Sequence, residues 1–216
     1  MTRNAFHLEL QELEEGVVQM ATLVETAISL AVQALIARDV ELAQRVIDGD
    51  NTVNEHQHNI RNKTFGVIAR QAPVARDLRE LVTIQLVINE LERMGDHAVG
   101  IAKNAIRISA HPPVKAVIDL PDMAKLIRQQ VRDAIQAFID VNIVEARAIC
   151  HRDDEVDLLY HEIFDELLAS MHDSENVPQA TSLLFVAHDL ERIGDRVTNI
   201  CEDVIYMVTG EIEELN

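Results

Sequence analysis

The sequence Glu90-Leu-Glu-Arg-Met-Gly-Asp-His97 has a closely similar second copy in this chain, Asp189-Leu-Glu-Arg-Ile-Gly-Asp-Arg196. The two copies align without a gap, and every position of the first matches the second with one offset (189 − 90 = 196 − 97 = 99). A repeat in register over this length predicts a duplicated structural unit.

Each copy lies within a longer pattern of apolar residues that recur at alternating steps of three and four. This is the spacing of the buried seam of packed α-helices. The first seam is Ile84, Val87, Leu91, Met94, Ala98, Ile101, Ala105 and Ile108, and the second is Leu183, Val186, Leu190, Ile193, Val197, Ile200, Val204 and Met207. Every position again matches with the offset of 99, so we predict two equivalent long helices.

The composition favours an all-α protein. Aromatic residues make up 3% of the 216 residues, and Trp is absent, which predicts an aliphatic core. Seven Gly and five Pro leave room for long helices, and no run alternates with the period of two that is typical of strands. We predict helices over residues 4–38, 40–71, 74–110, 122–142, 144–172 and 179–210, with a frayed tail after residue 210.

These six long helices predict two tandem three-helix bundles related by internal duplication, residues 1–115 and 116–216. Short connections between long helices favour antiparallel neighbours within each half.

The formal net charge of −18 argues against binding to nucleic acid, because such a surface repels phosphates, and favours cations or basic partner surfaces. Cys150 and Cys201 form no CxxC motif, consistent with a reducing compartment. The N-terminus lacks the apolar segment of a signal peptide, and no apolar run approaches about 18 residues. We therefore expect a soluble cytoplasmic protein.

Pairs of carboxylates flank both seams. Glu92 and Asp96, and likewise Glu191 and Asp195, are four residues apart, which places each pair on one side of a helix with β-carbons roughly 5–6 Å apart. The two carboxylates of each pair repel each other, and this repulsion must be offset either by water and a nearby Arg or by a divalent cation. Gly95, repeated as Gly194, predicts close approach of another helix or open space beside the acids.

The neighbouring helices supply further oxygen ligands. Asp153 and Asp157 form another such pair, whose counterpart in the first half is Asp50 with Asn54. We expect the acidic face of the last helix to continue beyond Asp195. Oxygen ligands of this kind suit hard cations such as Mg²⁺, Mn²⁺ or iron. The candidate metal ligands are Glu191, Asp195, Asp153, Asp157, Glu92, Asp96, Asn199, Asp203 and Asp50.

The chain resembles the PhoU family in Gln71-Ala-Pro-Val-Ala-Arg-Asp-Leu-Arg79, in Leu91-Glu-Arg-Met-Gly-Asp96, and in Leu190-Glu-Arg-Ile-Gly-Asp195 followed by Asn199-Ile-Cys-Glu-Asp-Val-Ile-Tyr-Met-Val-Thr-Gly210. The resemblance implies two three-helix bundles and metal binding through Glu/Asp-x-x-x-Asp motifs, in some members as multinuclear iron or zinc clusters. Together with the oxygen ligands, it leaves Fe, Zn, Mn or Mg as the candidate ion. It also implies a homodimeric, non-enzymatic, cytoplasmic negative regulator of the phosphate-starvation response. Its implied partners are the ATPase subunit of the Pst phosphate transporter and the sensor histidine kinase PhoR.

The first half departs from the motif in two places. Asn54 stands where the motif has its last Asp, and Gly100 stands where the second half has Asn199. Both departures predict that the second half binds metal more tightly.

Two alternatives stay open. A ferritin-like di-iron enzyme needs Glu-x-x-His on two helices, and only Glu55-His-Gln-His58 fits that pattern. A helical scaffold without metal would leave the acid pairs solvated, which is what most isolated pairs on helix surfaces are.

Overall fold

The computed structural model describes residues 3–111 and 119–215, and these form six α-helices and no strand. The helices are α1 (Arg3–Ala37), α2 (Val40–Gln71), α3 (Ala75–Ile108), α4 (Leu120–Ile139), α5 (Ile143–Ser170) and α6 (Val177–Thr209). The predicted all-α architecture is confirmed, and no helix end differs from its predicted position by more than three residues. The predicted boundary after residue 115 lies outside the described residues.

The turns that open α2 and α5 are equivalent. Asp39 and Asn142 are the N-caps, and each side chain accepts the N–H of the residue three positions later, at 2.9 and 3.1 Å. The preceding residues, Arg38 and Val141, both adopt left-handed backbone angles, with φ of 57° and 53°. The shared offset (141 − 38 = 142 − 39 = 103) extends the duplication from the helices to their connections.

The two halves pack into one body along α3 and α6. These two helices contact each other extensively and run antiparallel, since His97 of α3 meets Asp189 of α6 while Arg79 meets Met207. Helices α1 and α4 also contact each other, so α1, α3, α4 and α6 form the centre. Helix α2 packs outside α1 and α3, and α5 packs outside α4 and α6.

The core is the predicted apolar seam. All sixteen seam residues of α3 and α6 are at most 3% exposed, which confirms that the repeated three-and-four spacing marks the buried face. Burial of these aliphatic side chains is the main stabilising contribution, at about 25 cal/mol per Å² of apolar surface removed from water. The carboxylate pairs next to the seams are therefore held at the edge of the core.

Helix α1 is long and apolar enough to cross a membrane by length and composition alone, with a mean hydropathy of 1.7 in its most apolar window. The expectation that no segment has this composition is wrong for α1, because most of its polar residues are uncharged. The only charged residue between Gly16 and Ala37 is Glu25, which pairs with Arg132 of α4 at 2.5 Å. Packing against α2, α3 and α4 makes α1 a core helix of the bundle.

The tail after α6 folds back onto the protein. Glu213 pairs with Arg147 of α5 at 2.7 Å, and the N–H of Leu215 donates to Glu202 Oε1 at 2.7 Å. The expectation of a frayed tail is therefore wrong for the described residues 211–215, because polar contacts to α5 and α6 anchor it. Ile212 remains 85% exposed on this segment.

Candidate functional site

Two glycines let the outer helices approach the carboxylate pairs. A β-carbon added to Gly194 of α6 would lie 3.0 Å from Asp153 Oδ1 of α5, and one added to Gly95 of α3 would lie 3.3 Å from Asp50 Oδ1 of α2. In both halves the next nearest side chain is the valine three residues after that aspartate. The prediction that the repeated glycine marks close approach of another helix is confirmed, and it brings Asp153 and Asp50 to the two acid pairs.

Four carboxylates gather between α5 and α6. The pKa of Asp153 is raised to about 6, mainly by burial and also by the charges of Asp157, Asp195 and Glu191. A hydrogen bond from Thr198 Oγ1 at 3.2 Å opposes this shift. A carboxylate surrounded by like charges is less stable when ionised than one in water. This arrangement disfavours four simultaneous negative charges unless a cation is present.

The pair on α6 is partly buried rather than free in water. Glu191 and Asp195 are 22% and 27% exposed, and burial, together with the charge of Asp195, raises the pKa of Glu191. Arg192 Nη1 lies 2.5 Å from Asp195 Oδ2. Glu191 Oε2 has no hydrogen-bond partner among the described residues, although His188 Nδ1 lies 3.4 Å away. An unpartnered carboxylate oxygen beside other carboxylates is available to a cation.

The equivalent cluster between α2 and α3 has a different internal partner. Burial and the charge of Asp96 raise the pKa of Asp50, whereas the Asn54 side chain opposes the shift by donating from Nδ2 to Asp50 Oδ2 at 3.0 Å. Burial also raises the pKa of Glu92, and the charges of Asp96 and Asp50 add to this effect. Asn54 thus donates to the oxygen of Asp50 whose counterpart in Asp153 accepts from the Thr198 hydroxyl in the second half.

The oxygen chemistry of both clusters fits a hard cation, because a positive ion would offset the repulsion that raises these pKa values. Among residues 3–111 and 119–215, however, no three His, Cys, Asp or Glu side chains are placed closely enough to hold a metal ion. Coordination therefore requires rotation of side chains within the cluster. Asp157 is solvent-exposed and free of hydrogen bonds through its carboxylate among the described residues, so it is able to rotate.

Comparison with known proteins places this arrangement in a family. The model of the PhoU domain matches residues 17–105 and again residues 120–204. The chain belongs to the PhoU family. A phosphate-specific transport system accessory protein PhoU homolog from Clostridium acetobutylicum is 39% identical over 218 residues, which cover 100% of both chains. One from Aquifex aeolicus is 38% identical over 205 residues, covering 94% of this chain and 93% of the relative.

Two crystal structures of PhoU proteins have the same fold. The phosphate transport system regulatory protein PhoU from Streptococcus pneumoniae matches with a TM-score of 0.90 and 33% identity, over 97% of this chain and 99% of the other. PhoU from Pseudomonas aeruginosa matches with a TM-score of 0.90 and 31% identity, over 95% of this chain and 100% of the other. The duplicated PhoU domain and the all-α fold agree with the prediction from sequence.

Two candidate ligands of this PhoU-family chain lie away from the α5–α6 cluster. Asn199 Nδ2 donates to Glu90 Oε2 of α3 at 3.2 Å, and the charge of Glu90 acts on Asp203. The expectation that Asn199 and Asp203 continue the face of Glu191 is therefore wrong. A step of four residues advances a helix by about 40° beyond a full turn, so Asp203, three such steps after Glu191, has rotated by about 120° towards α3.

Gly100 also belongs to the contact between the halves. A β-carbon at this position would lie 2.5 Å from Asp189 Oδ2, and Asp189 Oδ1 lies 3.0 Å from His97 Nδ1. The expectation that Gly100 weakens the first metal site is wrong, because this position faces α6 rather than Glu92 and Asp50 on the α2 side. The lack of a side chain makes room for Asp189.

Two polar contacts between helices were not predicted from the sequence. Arg196 Nη1 lies 3.3 Å from Glu90 Oε2 across the α3–α6 contact. Between α2 and α3, Asn89 Oδ1 accepts from Gln57 Nε2 at 3.1 Å and from Arg61 Nη2 at 2.9 Å. Gln57 is only 6% exposed and occupies a position in the apolar stripe of α2. This polar residue at an apolar position is the feature of the sequence that could have indicated the contact with Asn89.

Proposed function

We propose that this PhoU-family protein is a cytoplasmic, non-enzymatic negative regulator of the phosphate-starvation response that acts with a phosphate ABC transporter of the Pst type. The observation that supports this most directly is the 39% identity over the full chain to a protein named as a phosphate-specific transport system accessory protein. The rigid helical body and acidic surface suit a protein that acts by contact with partners.

The proposed partners are the ATPase subunit of the Pst transporter and the sensor histidine kinase PhoR, and the protein works as a homodimer. It reaches the membrane through these partners. The net charge of −18 supports binding to basic surfaces and opposes binding to nucleic acid. Transporter activity shifts the chain between its two partners, and the kinase output follows the fraction that is bound to PhoR.

The second part of the proposal is a cation, Fe, Zn, Mn or Mg, held between α5 and α6 by Asp153, Asp157, Glu191 and Asp195. The support is the raised pKa of Asp153, the unpartnered Glu191 Oε2 and the oxygen-rich set of donors. The ion would neutralise the cluster and fix α5 against α6. The cluster that contains Asp50, Glu92 and Asp96 would bind the same ions more weakly.

A complementation experiment tests the regulatory role. The chain is expressed in a bacterium that lacks its own PhoU, and a reporter of the phosphate-starvation response is measured in phosphate-rich medium. We expect the reporter to fall to the level of the parent strain. A reporter that stays high, together with no binding of the purified chain to the purified ATPase subunit or to the cytoplasmic part of PhoR, would refute the proposal.

A further inference from the structure

A groove with apolar walls runs between α3 and the C-terminal part of α6. It has a volume of about 260 Å³, and the tail after α6 closes one side. Val82 and Leu86 of α3 are each 37% exposed in it, opposite Tyr206 and the 85% exposed Ile212. Leu78, also 37% exposed, continues the row on α3, so apolar side chains stand one helical turn apart along it.

The rim of this groove is acidic. It carries Glu202, Asp203 and Glu213. Two of these carboxylates have partners within the chain, since Glu213 pairs with Arg147 at 2.7 Å and Glu202 accepts the N–H of Leu215. Asp203 receives neither a hydrogen bond nor an ion pair from any residue in the described parts of the chain.

Among the described residues, no positive charge offsets that of Asp203. Its pKa is raised to about 7, mainly by burial and also by the charges of Glu90 and Glu202. Arg79 of α3 is engaged elsewhere, because its Nε donates to the carbonyl oxygen of Met207 at 3.1 Å, where it caps α6. A carboxylate in this state is stabilised by a cation from outside the chain.

We propose that this groove docks a basic amphipathic helix of a partner protein. Apolar side chains of that helix pack against Val82, Leu86 and Ile212, and a Lys or Arg pairs with Asp203. A helix in a groove presents anchors at intervals of one turn, which matches the spacing on α3. The acidic rim of Glu202, Asp203 and Glu213 complements a basic ligand. The groove is separate from the carboxylate clusters beside α2 and α5.

The duplication supplies a matched control surface. Phe185, 52% exposed, is the counterpart of Leu86 (185 − 86 = 99). The counterparts of Glu202 and Asp203 are Lys103 and Asn104 (202 − 103 = 203 − 104 = 99), so α3 does not carry these two carboxylates on that surface. A basic amphipathic helix should therefore distinguish Leu86 from Phe185, although both are exposed apolar residues.

The test uses the full chain with labelled Val, Leu and Ile methyl groups, and a synthetic Leu/Lys amphipathic peptide of about 20 residues as the probe. We expect the peptide to shift the methyl resonances of Val82, Leu86 and Ile212. Leu86→Ser and Asp203→Asn should each weaken binding by about tenfold, while Phe185→Ser should leave the affinity within about twofold of the parent protein. Far-ultraviolet circular dichroism checks that each variant is folded.

Three outcomes would overturn the proposal. The first is an equal loss of affinity in the Phe185→Ser variant, which would indicate general attraction to an acidic protein. The second is equal binding of a peptide with Glu in place of Lys. The third is a shift of the Val82 and Leu86 methyl groups with protein concentration alone, which would assign the surface to a second copy. None of these measurements involves the transporter or the kinase, so they are independent of the proposed function.

Discussion

Arg196 Nη1 of α6 lies 3.3 Å from Glu90 Oε2 of α3, and both side chains are almost buried, at 13% and 12% exposed. The repeat makes the reciprocal contact, because His97 and Asp189 are the counterparts of Arg196 and Glu90 and lie 3.0 Å apart. The contact between the two halves thus has approximate twofold symmetry, like the interface of a symmetric dimer.

Removal of the Arg196 side chain should destabilise the fold more than removal of Arg93, which pairs with the same carboxylate. Arg196→Ala leaves Glu90 with a weaker set of partners at a nearly dry interface, so we expect a loss of about 2 kcal/mol in the free energy of unfolding. Arg93 is 58% exposed, and Arg93→Ala should cost less than about 0.5 kcal/mol. Urea denaturation of both variants measures the difference, and equal losses would contradict the role given to the α3–α6 contact.

Two glycine substitutions within helices should have opposite effects. A β-carbon added to Gly49 would meet no atom within 4 Å among the described residues, apart from the adjacent backbone of its own helix, so Gly49→Ala should stabilise α2 by about 1 kcal/mol. Gly100→Ala places its β-carbon 2.5 Å from Asp189 Oδ2 and disturbs the contact with His97, so we expect a net loss of about 1 kcal/mol. Thermal and urea unfolding test both signs, and a gain at Gly100 would show that Asp189 moves freely.

The stability of the fold should fall as pH rises between about 4 and 7 because of Asp203. Its pKa is raised from 3.8 to about 7 in the folded protein, so the unfolded chain ionises first, and the penalty is complete only above the folded value. Asp203→Asn should therefore increase stability at pH 8, by about 2–4 kcal/mol, and leave it unchanged near pH 3.5. Urea unfolding at the two pH values measures this, with Asp165→Asn on the exposed surface of α5 as the control. A gain of equal size at both pH values would argue against ionisation as the cause.

Metal content should depend more on the second half than on the first. The double variant Glu191→Gln with Asp195→Asn removes two donors from the cluster with four carboxylates, whereas Glu92→Gln with Asp96→Asn affects the half in which Asn54 already satisfies Asp50.

We expect the first double variant to lose most of the bound metal and the second to lose a smaller share, as measured by elemental analysis after dialysis. Added metal should also raise the melting temperature of the parent protein more than that of the α6 double variant. Greater loss of metal from the variant at Glu92 and Asp96 would reverse the order of the two proposed sites.

The helices and the core could be predicted from sequence because their determinants are local. The seam that contains Leu91 and Met94 is buried as its spacing predicts, and the equivalent seam around Leu190 is buried to the same degree. A helix forms hydrogen bonds only between residues close in sequence, so periodicity and a capping residue such as Asp39 suffice to place it.

The partners of the polar residues could not be predicted in the same way. Glu191 and Asn199 lie on one helix with regular spacing, yet the first faces the cluster with α5 and the second contacts α3. Side-chain direction rotates by about 100° per residue, so which neighbouring helix a residue meets depends on how all the helices pack. Gly100 shows the same dependence. Its sequence position suggested a missing ligand of the first metal site, whereas in the folded protein it makes room for Asp189 of α6.

The sequence by itself determined six helices, their duplication and the edge position of the acid pairs, since each follows from periodicity along the chain. Only the tertiary structure decided that Glu90 pairs with Arg196, that Asp203 lies in a groove without a counter-charge, and that the tail is anchored. These contacts join residues far apart in sequence, and their geometry exists only when α3, α5 and α6 are packed together.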